Sequence, residues 1–299
     1  MQKLQSPTHL FMIEPEEFCN NLQTLDSNDY QVLDKDVNKD DILKKAKLEF
    51  VNFKNMIESN GIKVTYMHGS LGCPDHIFPN WFATFQDKTM QIFSMKALNR
   101  RAEKKPEMIK KLQTEYKLTE DMTHYEEKGV FLESTSSMVF DRVNMIAYIG
   151  KSVRTNTNLA KEWCSKNGFE LILFETTNHK NNSIYHTDVL MFVGTEMIGL
   201  CIDVINEDYK DMVYSKATNH HEVMLITKEQ ILDFCGNALE ARNDNNEKFL
   251  IMSTRAHNSL STDQHKCISR FYKKIIHSDI PTIERYGGGS ARCMLSELF

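Results

Sequence analysis

The stretch Arg285-Tyr286-Gly287-Gly288-Gly289-Ser290-Ala291-Arg292-Cys293-Met294-Leu295-Ser296-Glu297-Leu298-Phe299 closes this 299-residue chain and spends three of its 12 glycines in a row. A flexible tail would carry polar residues in place of Met294, Leu295, Leu298 and Phe299. A buried strand would not begin with the residue that loses most conformational freedom on folding. The stretch therefore reads as backbone that bends sharply and then presents one thiol, Cys293. A free cysteine is most often a buried structural residue. Here the neighbouring Arg292 and the glycine-rich turn argue instead for an exposed thiol of lowered pKa.

Around this segment the composition is ordinary. Hydrophobic residues make up 41% and charged residues 26%, as in soluble globular proteins. A chain of this length buries about three quarters of its unfolded surface without staples. No linker rich in Pro, Ser or Gly divides it, so residues 1–299 are expected to form a single domain. The net charge of -5 argues against a nucleic-acid partner. The one dense basic run, Asn99-Arg100-Arg101-Ala102-Glu103-Lys104-Lys105, reads as a solvated helix approach. No apolar run reaches the ~18 residues of a membrane span, and Met1–Pro7 lacks the apolar core of a signal peptide. Seven scattered cysteines with no C-x-x-C fit reduced thiols in the cytoplasm rather than a disulfide framework or a zinc module. The expectation is a cytoplasmic protein with no metal, no cofactor and no membrane partner; a homodimer is left open.

Hydrophobic spacing predicts a helix over residues 40–60, capped by Asp40 or Asp41 and stopped at Asn60-Gly61, and then a strand at 62–66. Met90–Met95 reads as a strand and Pro106–Tyr116 as a helix. A hairpin follows, Ser137–Phe140 with Met145–Ile149, then a helix at 158–167 and a strand at Glu170–Phe174. Similar runs recur: strands at 189–193 and 197–202, a helix near 208–216 and a strand at 222–226. Last come a helix at Glu229–Ala241, a strand at Phe249–Met252 and a helix at Asp263–Ile276. Strand-strand-helix-strand at irregular intervals disfavours a doubly wound parallel sheet.

Four stretches bunch ionisable residues beside these strands, where loop-borne sites sit on a rigid scaffold. They are Gly72–Trp81, Phe131–Val139, Tyr185–Met191 and the closing segment. In His186-Thr187-Asp188 the period of two on a strand points His and Asp to one face, a pair suited to proton transfer. Glu133, between Leu132 and four small residues, is oddly placed for a solvated charge. A thiol, a histidine and several carboxylates together suggest covalent catalysis at an electron-poor carbon. The carboxylates imply a cationic substrate, and a planar guanidinium suits two of them at once.

These stretches, in this order, resemble the guanidino-group-modifying (pentein) superfamily of arginine deiminases, dimethylarginine hydrolases and amidinotransferases, and most of all its citrulline-utilisation hydrolase branch. The matching motifs are PDHIFPNW (74–81), NRRAEKKP (99–106), FLESTSSMVFDRVNMIAY (131–148), YHTDVLM (185–191), MSTRAH (252–257) and GGGSARCMLSE (287–297). The resemblance implies an α/β fold, a five-bladed α/β propeller built from ββαβ-type units. It implies Cys293 as nucleophile, His186 as general acid and base, and Glu133 as a guanidinium-facing carboxylate. It also implies Asp188 and Asp75 as substrate-pocket carboxylates, Asn80 as a further pocket residue, and Arg154 as the grip on an amino-acid carboxylate. Three departures stand out. Phe78-Pro79-Asn80-Trp81 is one residue shorter than the branch's Phe-Pro-Asn-Asn-Trp. Phe85 stands where the branch often has histidine, and Ser134 follows Glu133 where glycine is usual.

The expected activity is cysteine-dependent hydrolysis of a C–N bond in a guanidino or ureido compound such as arginine or citrulline, through a thiouronium-type intermediate. An amidinotransferase, with an amine in place of water as acceptor, is the alternative. A non-catalytic ligand-binding member is a third reading.

Overall fold

A computed structural model describes residues 3–34 and 37–299 of the chain. The hairpins read from the sequence become the first two strands of repeated three-stranded sheets, each hairpin antiparallel and each third strand parallel. Numbered along the chain, β1 (His9–Glu14) and β2 (Lys63–His68) are followed by β3 (Phe82–Thr84), β4 (Thr89–Ile92) and β5 (Lys117–Asp121). Then come β6 (Met138–Asp141), β7 (Ile146–Gly150) and β8 (Glu170–Phe174), and β9 (Met191–Val193), β10 (Met197–Leu200) and β11 (Glu222–Leu225). The last are β12 (Leu239–Arg242), β13 (Lys248–Ser253), β14 (Lys274–Ser278) and β15 (Ser296–Leu298).

Four sheets take three consecutive strands each, and the fifth has the order β15-β1-β2. There β15 pairs antiparallel with β1, so the last strand completes the first blade and closes the ring. A parallel third strand needs a crossover of a dozen residues or more, which a helix supplies. These are Lys39–Glu58, Pro106–Leu112, Thr157–Asn167, Glu207–Thr218 and Thr262–Ser269. The first strands of the blades meet around the axis: β15 touches β3, β6 touches β9, and β9 touches β12. This is the five-bladed α/β propeller of ββαβ units. Helix Lys39–Glu58 shows how a blade is sealed, burying Ile42, Ala46, Phe50, Phe53 and Ile57 on one face.

Several elements differ from the sequence reading. Asn38, not Asp40 or Asp41, caps the first long helix, its side chain accepting from the Asp40 N–H. The helix expected at Glu229–Ala241 is only Lys228–Leu232, and β12 begins at Leu239. A Cβ on Gly236 would stand 2.4 Å from the Val189 carbonyl, so two backbones meet there. The helix expected through Ile276 stops at Ser269; Ile275 and Ile276 pair with Leu250 and Ile251 in a parallel ladder instead. His186-Thr187-Asp188 is no strand: Thr187–Val189 form a 3-10 turn. The Thr187 hydroxyl pins that turn, donating to Ser137 O and accepting from Gly150 N. Nor is the basic run solvated, because Arg100 is 2% exposed and Glu103 fully buried.

Candidate active site

The five first strands converge on the axis, so the segments leading into them converge too. Asp75 and Asn80 precede β3, Glu133 precedes β6, His186 and Asp188 precede β9, Asn237 precedes β12 and Cys293 precedes β15. Asp75, Phe78, Asn80, Arg100, Arg154, Tyr185, His186 and Cys293 line one small cavity together with Gly287 and Gly289. It has room for little more than a water molecule.

Cys293 sits at the end of the glycine turn. Gly288 has φ +61° and ends the helix Pro281–Gly287 in the left-handed conformation. A Cβ on Gly287 would meet the Phe78 ring at 2.7 Å, and one on Gly289 would meet the Cys293 sulfur at 3.3 Å. The glycines thus let Phe78 and the thiol close on the same backbone. The thiol is buried, however, not exposed, and Arg292 turns away to Leu295 O and Glu297. Burial and Asp188 push the Cys293 thiol up to about 12, against opposing help from the Ser290 backbone, Asn237 and Arg292. The expectation of an exposed thiol of lowered pKa is overturned. Cys293 Sγ lies 3.7 Å from Asp188 Oδ2.

His186 is buried with Nε2 2.7 Å from Glu133 Oε2. A carboxylate only accepts, so Nε2 carries the hydrogen and Nδ1 keeps its lone pair. Among the described residues no group meets that Nδ1. Burial lowers the His186 pKa, although Glu133 pulls the other way. Burial alone would raise the Glu133 carboxyl, but Arg154, the His186 hydrogen bond and Arg100 hold it well below the usual carboxylate range. Both Glu133 oxygens are engaged within the protein. Oε2 is taken by His186 and lies 3.6 Å from Arg154, and Oε1 accepts from the Lys96 N–H. Ser134, next to it, holds φ +47°, a left-handed conformation in a residue other than glycine, with its hydroxyl donating to Phe82 O.

The remaining carboxylates are half used. Asp75 Oδ2 accepts from Asn21 Nδ2 and Thr24 Oγ1, whereas its Oδ1 and Asp188 Oδ1 are buried without partners among the described residues. Burial raises the Asp188 pKa, opposed by His186 and Arg292. The Asn80 amide is fully occupied: Oδ1 accepts from Arg100 at 2.6 Å and Nδ2 donates to Ser136 Oγ at 3.1 Å. Arg154 stacks on Tyr185 and donates to Ser27 Oγ. Segment 20–34 lies across the cavity, with Asn28 Nδ2 donating to Gly287 O and Gly288 O.

Sequence reading missed Arg100 and Asn237. Arg100 is held by both Glu103 oxygens, and the i,i+3 spacing of Arg100 and Glu103 was the available signal. Asn237, directly after Gly236 and before β12, carried no ionisable group to draw notice. Among the described residues no cluster of three or more His, Cys, Asp or Glu is arranged to hold a metal ion. No helix there is long and apolar enough to cross a membrane.

No curated protein matches the sequence. Among solved structures, ArgZ in its apo form, an arginine dihydrolase from the ornithine-ammonia cycle in cyanobacteria, is similar with TM-score 0.76 at 13% identity. The match covers 97% of this chain but 41% of that one. The N-terminal domain of ArgZ alone, a cysteine-to-serine mutant bound to substrate, matches at the same score over 97% of this chain and 98% of its own. DDAH from Pseudomonas aeruginosa, a cysteine-to-serine mutant complexed with citrulline, matches with TM-score 0.67 at 15% identity, over 98% and 100% of the two chains. At these identities the likeness establishes the fold. The family model described as N,N dimethylarginine dimethylhydrolase, eukaryotic, matches residues 14–299, and the chain belongs to that family.

Proposed function

We propose that the protein is a cysteine-dependent hydrolase of a C–N bond in a guanidino compound related to arginine, with residues 1–299 acting as one domain. One observation carries this reading. A buried thiol, a bare imidazole nitrogen and the unpartnered Asp75 oxygen belong to residues lining one cavity, and Asp188, with an unpartnered oxygen of its own, touches the thiol from the neighbouring cavity. Buried polar atoms without partners are costly, and a cationic planar ligand with several N–H donors relieves both carboxylates at once. A guanidinium also supplies the positive charge that a thiolate at Cys293 lacks in the free protein.

Cys293 Sγ attacks the guanidinium carbon as its proton passes to the bare His186 Nδ1, giving a tetrahedral adduct. His186, protonated at Nδ1, gives that proton to the departing amine or ammonia, and a thiouronium remains on Cys293. His186 Nδ1 then takes a proton from water, whose oxygen adds to the same carbon. The C–S bond breaks as the proton of the added hydroxyl passes to sulfur, leaving a ureido product and the free thiol, and His186 returns its proton to solvent. Glu133 holds the tautomer and steadies the imidazolium, while Arg154 and Arg100 keep Glu133 charged. Arg154, on the cavity wall, takes the substrate's carboxylate. Entry of a molecule the size of arginine requires the contacts of segment 20–34 with Asp75, Arg154 and Gly287 to open.

A second reading, a ureido substrate such as citrulline, is favoured by Asn80. Its amide brings no charge to a place where other superfamily members carry carboxylates. Product analysis decides between the two: wild type and Cys293→Ser are incubated with dimethylarginine, arginine and citrulline, each with and without an amine acceptor. Release of amine or ammonia from a guanidino substrate by wild type alone supports the proposal. Turnover only in the presence of an amine acceptor would make the protein an amidinotransferase. Turnover of citrulline alone would support the second reading.

A further inference from the structure

Four of the five segments that enter the central strands carry a residue that the sequence singled out; the fifth, before β12, carries Asn237. This side chain is fully buried and every polar atom of its amide is spent at the thiol. Asn237 Nδ2 lies 3.1 Å from Cys293 Sγ and 3.0 Å from the Asp188 carbonyl, and Oδ1 accepts from the Cys293 N–H at 3.2 Å. A residue that only filled space would not need an amide, since burying one costs free energy unless each atom is paired. Pairing both faces of the amide with Cys293, main chain and side chain, fixes where the sulfur stands relative to Asp188.

We propose that Asn237 is the positioning residue of the nucleophile. It donates a hydrogen bond that strengthens when Cys293 becomes a thiolate, and it holds the sulfur toward the cavity. The inference rests on the reading of Cys293 as the nucleophile. An N–H to a neutral sulfur is a weak interaction, whereas the same N–H to a thiolate is charge-assisted. The contact therefore favours the ionised form, and it needs such help. Burial and Asp188, from the segment before β9, oppose ionisation; the Ser290 backbone and Arg292 favour it from Cys293's own turn, and neutral Tyr185 stands beside Asp188. Across the cavity stand His186, Asp75, Arg100 and Arg154.

The test reads the thiol directly. The rate of Cys293 alkylation by iodoacetamide is followed against pH by peptide mass spectrometry in wild type, Asn237→Ala and Asn237→Asp. The aspartate keeps the shape and the acceptor for the Cys293 N–H, and replaces the donor by a charge. At every pH below 9 both variants are expected to lower the Cys293 alkylation rate by about ten- to a hundredfold, the aspartate further. With a turned-over substrate, kcat should fall about ten- to a hundredfold while KM changes little. A folded Asn237→Asp protein with the wild-type alkylation rate and kcat would overturn the inference. The hydrolase reading fails separately, if Cys293→Ser retains turnover, because the thiol titration needs no substrate.

Discussion

Two buried clusters of charge adjoin Cys293 and meet at Asp188, and they are built on opposite rules. In one, Glu297 is shared by Arg142 and Arg292, Arg292 also donates to Leu295 O, and Arg142 lies over the Phe299 ring. Among the described residues none of these side chains has a buried polar atom without a partner. In the other cluster Asp75 Oδ1, His186 Nδ1 and Asp188 Oδ1 are all left bare. A buried ion cluster whose members satisfy one another is a structural device that fastens β15 to its neighbours. One that leaves acceptors bare keeps its free energy for a ligand.

That contrast can be broken at either cluster. The largest effect is expected at the nucleophile: Cys293→Ser should cut kcat by about a thousandfold or more without lowering Tm. Near-normal turnover would remove the thiol from the chemistry. At the satisfied cluster, Glu297→Gln leaves two buried arginines without their acid and should cost about 3 kcal/mol of stability in urea titrations. KM should stay as it was. A loss of substrate affinity with no loss of stability would erase the distinction between the clusters.

Asp188→Asn sharpens it from the other side. KM for a guanidino substrate should rise more than about tenfold, since one charge-assisted pair is worth roughly 1.5–3 kcal/mol. A ureido substrate should suffer much less, and equal harm to both would sink the charge argument.

The buried titrating groups set a pH window. His186 and Glu133 have folded pKa values below their ordinary ones, so their contribution is present above those ordinary values and drains away as pH falls. For His186 the decline begins below its ordinary 6.5. Cys293 has the opposite sign: raised from 9.0 to about 12, it contributes fully below 9.0 and is lost as pH climbs toward 12. Urea midpoints at a series of pH values should therefore be highest between those limits. A midpoint that keeps rising through the alkaline range in wild type, and equally in Cys293→Ser, would contradict the buried neutral thiol.

The smallest effect is expected at Ser134. Ser134→Gly removes the left-handed strain but also the hydroxyl bond to Phe82 O, and adds freedom to the unfolded chain. Stability should change by less than about 1 kcal/mol, whereas Ser134→Ala, which keeps the strain and loses the bond, should be the less stable of the two.

Much of the blade pattern was legible because strand and helix periods are local. The hairpin around Asp141–Asn144, the strand Glu170–Phe174 and the helix ended by Gly168 follow from side-chain alternation and a left-handed stop. Where a segment's state depends on a distant backbone, local spacing misleads. Leu239–Arg242 has helix-forming residues yet pairs with β13, and Ile275-Ile276 extend a parallel ladder. Arg100 carried every mark of a solvent-exposed base, and only its bonds to Glu103, Phe78 O and Asn80 take it inside.

By itself the sequence picked out the candidate reactive inventory, meaning Cys293, His186, Glu133, Asp188, Asp75 and Arg154, together with the order in which they occur. All but Arg154 stand on segments that lead into a first strand, and strand starts are written in local spacing; Arg154 follows the end of β7. The tertiary structure alone decided what those groups are to one another. It turned Glu133 toward His186 and away from the cavity, buried the thiol as a neutral group, spent the Asn80 amide on Arg100 and Ser136, and brought Asn237 to the sulfur. Protonation and hydrogen-bond partners depend on burial and on charges within a few ångströms, and five segments far apart in the chain supply them only once the ring is closed.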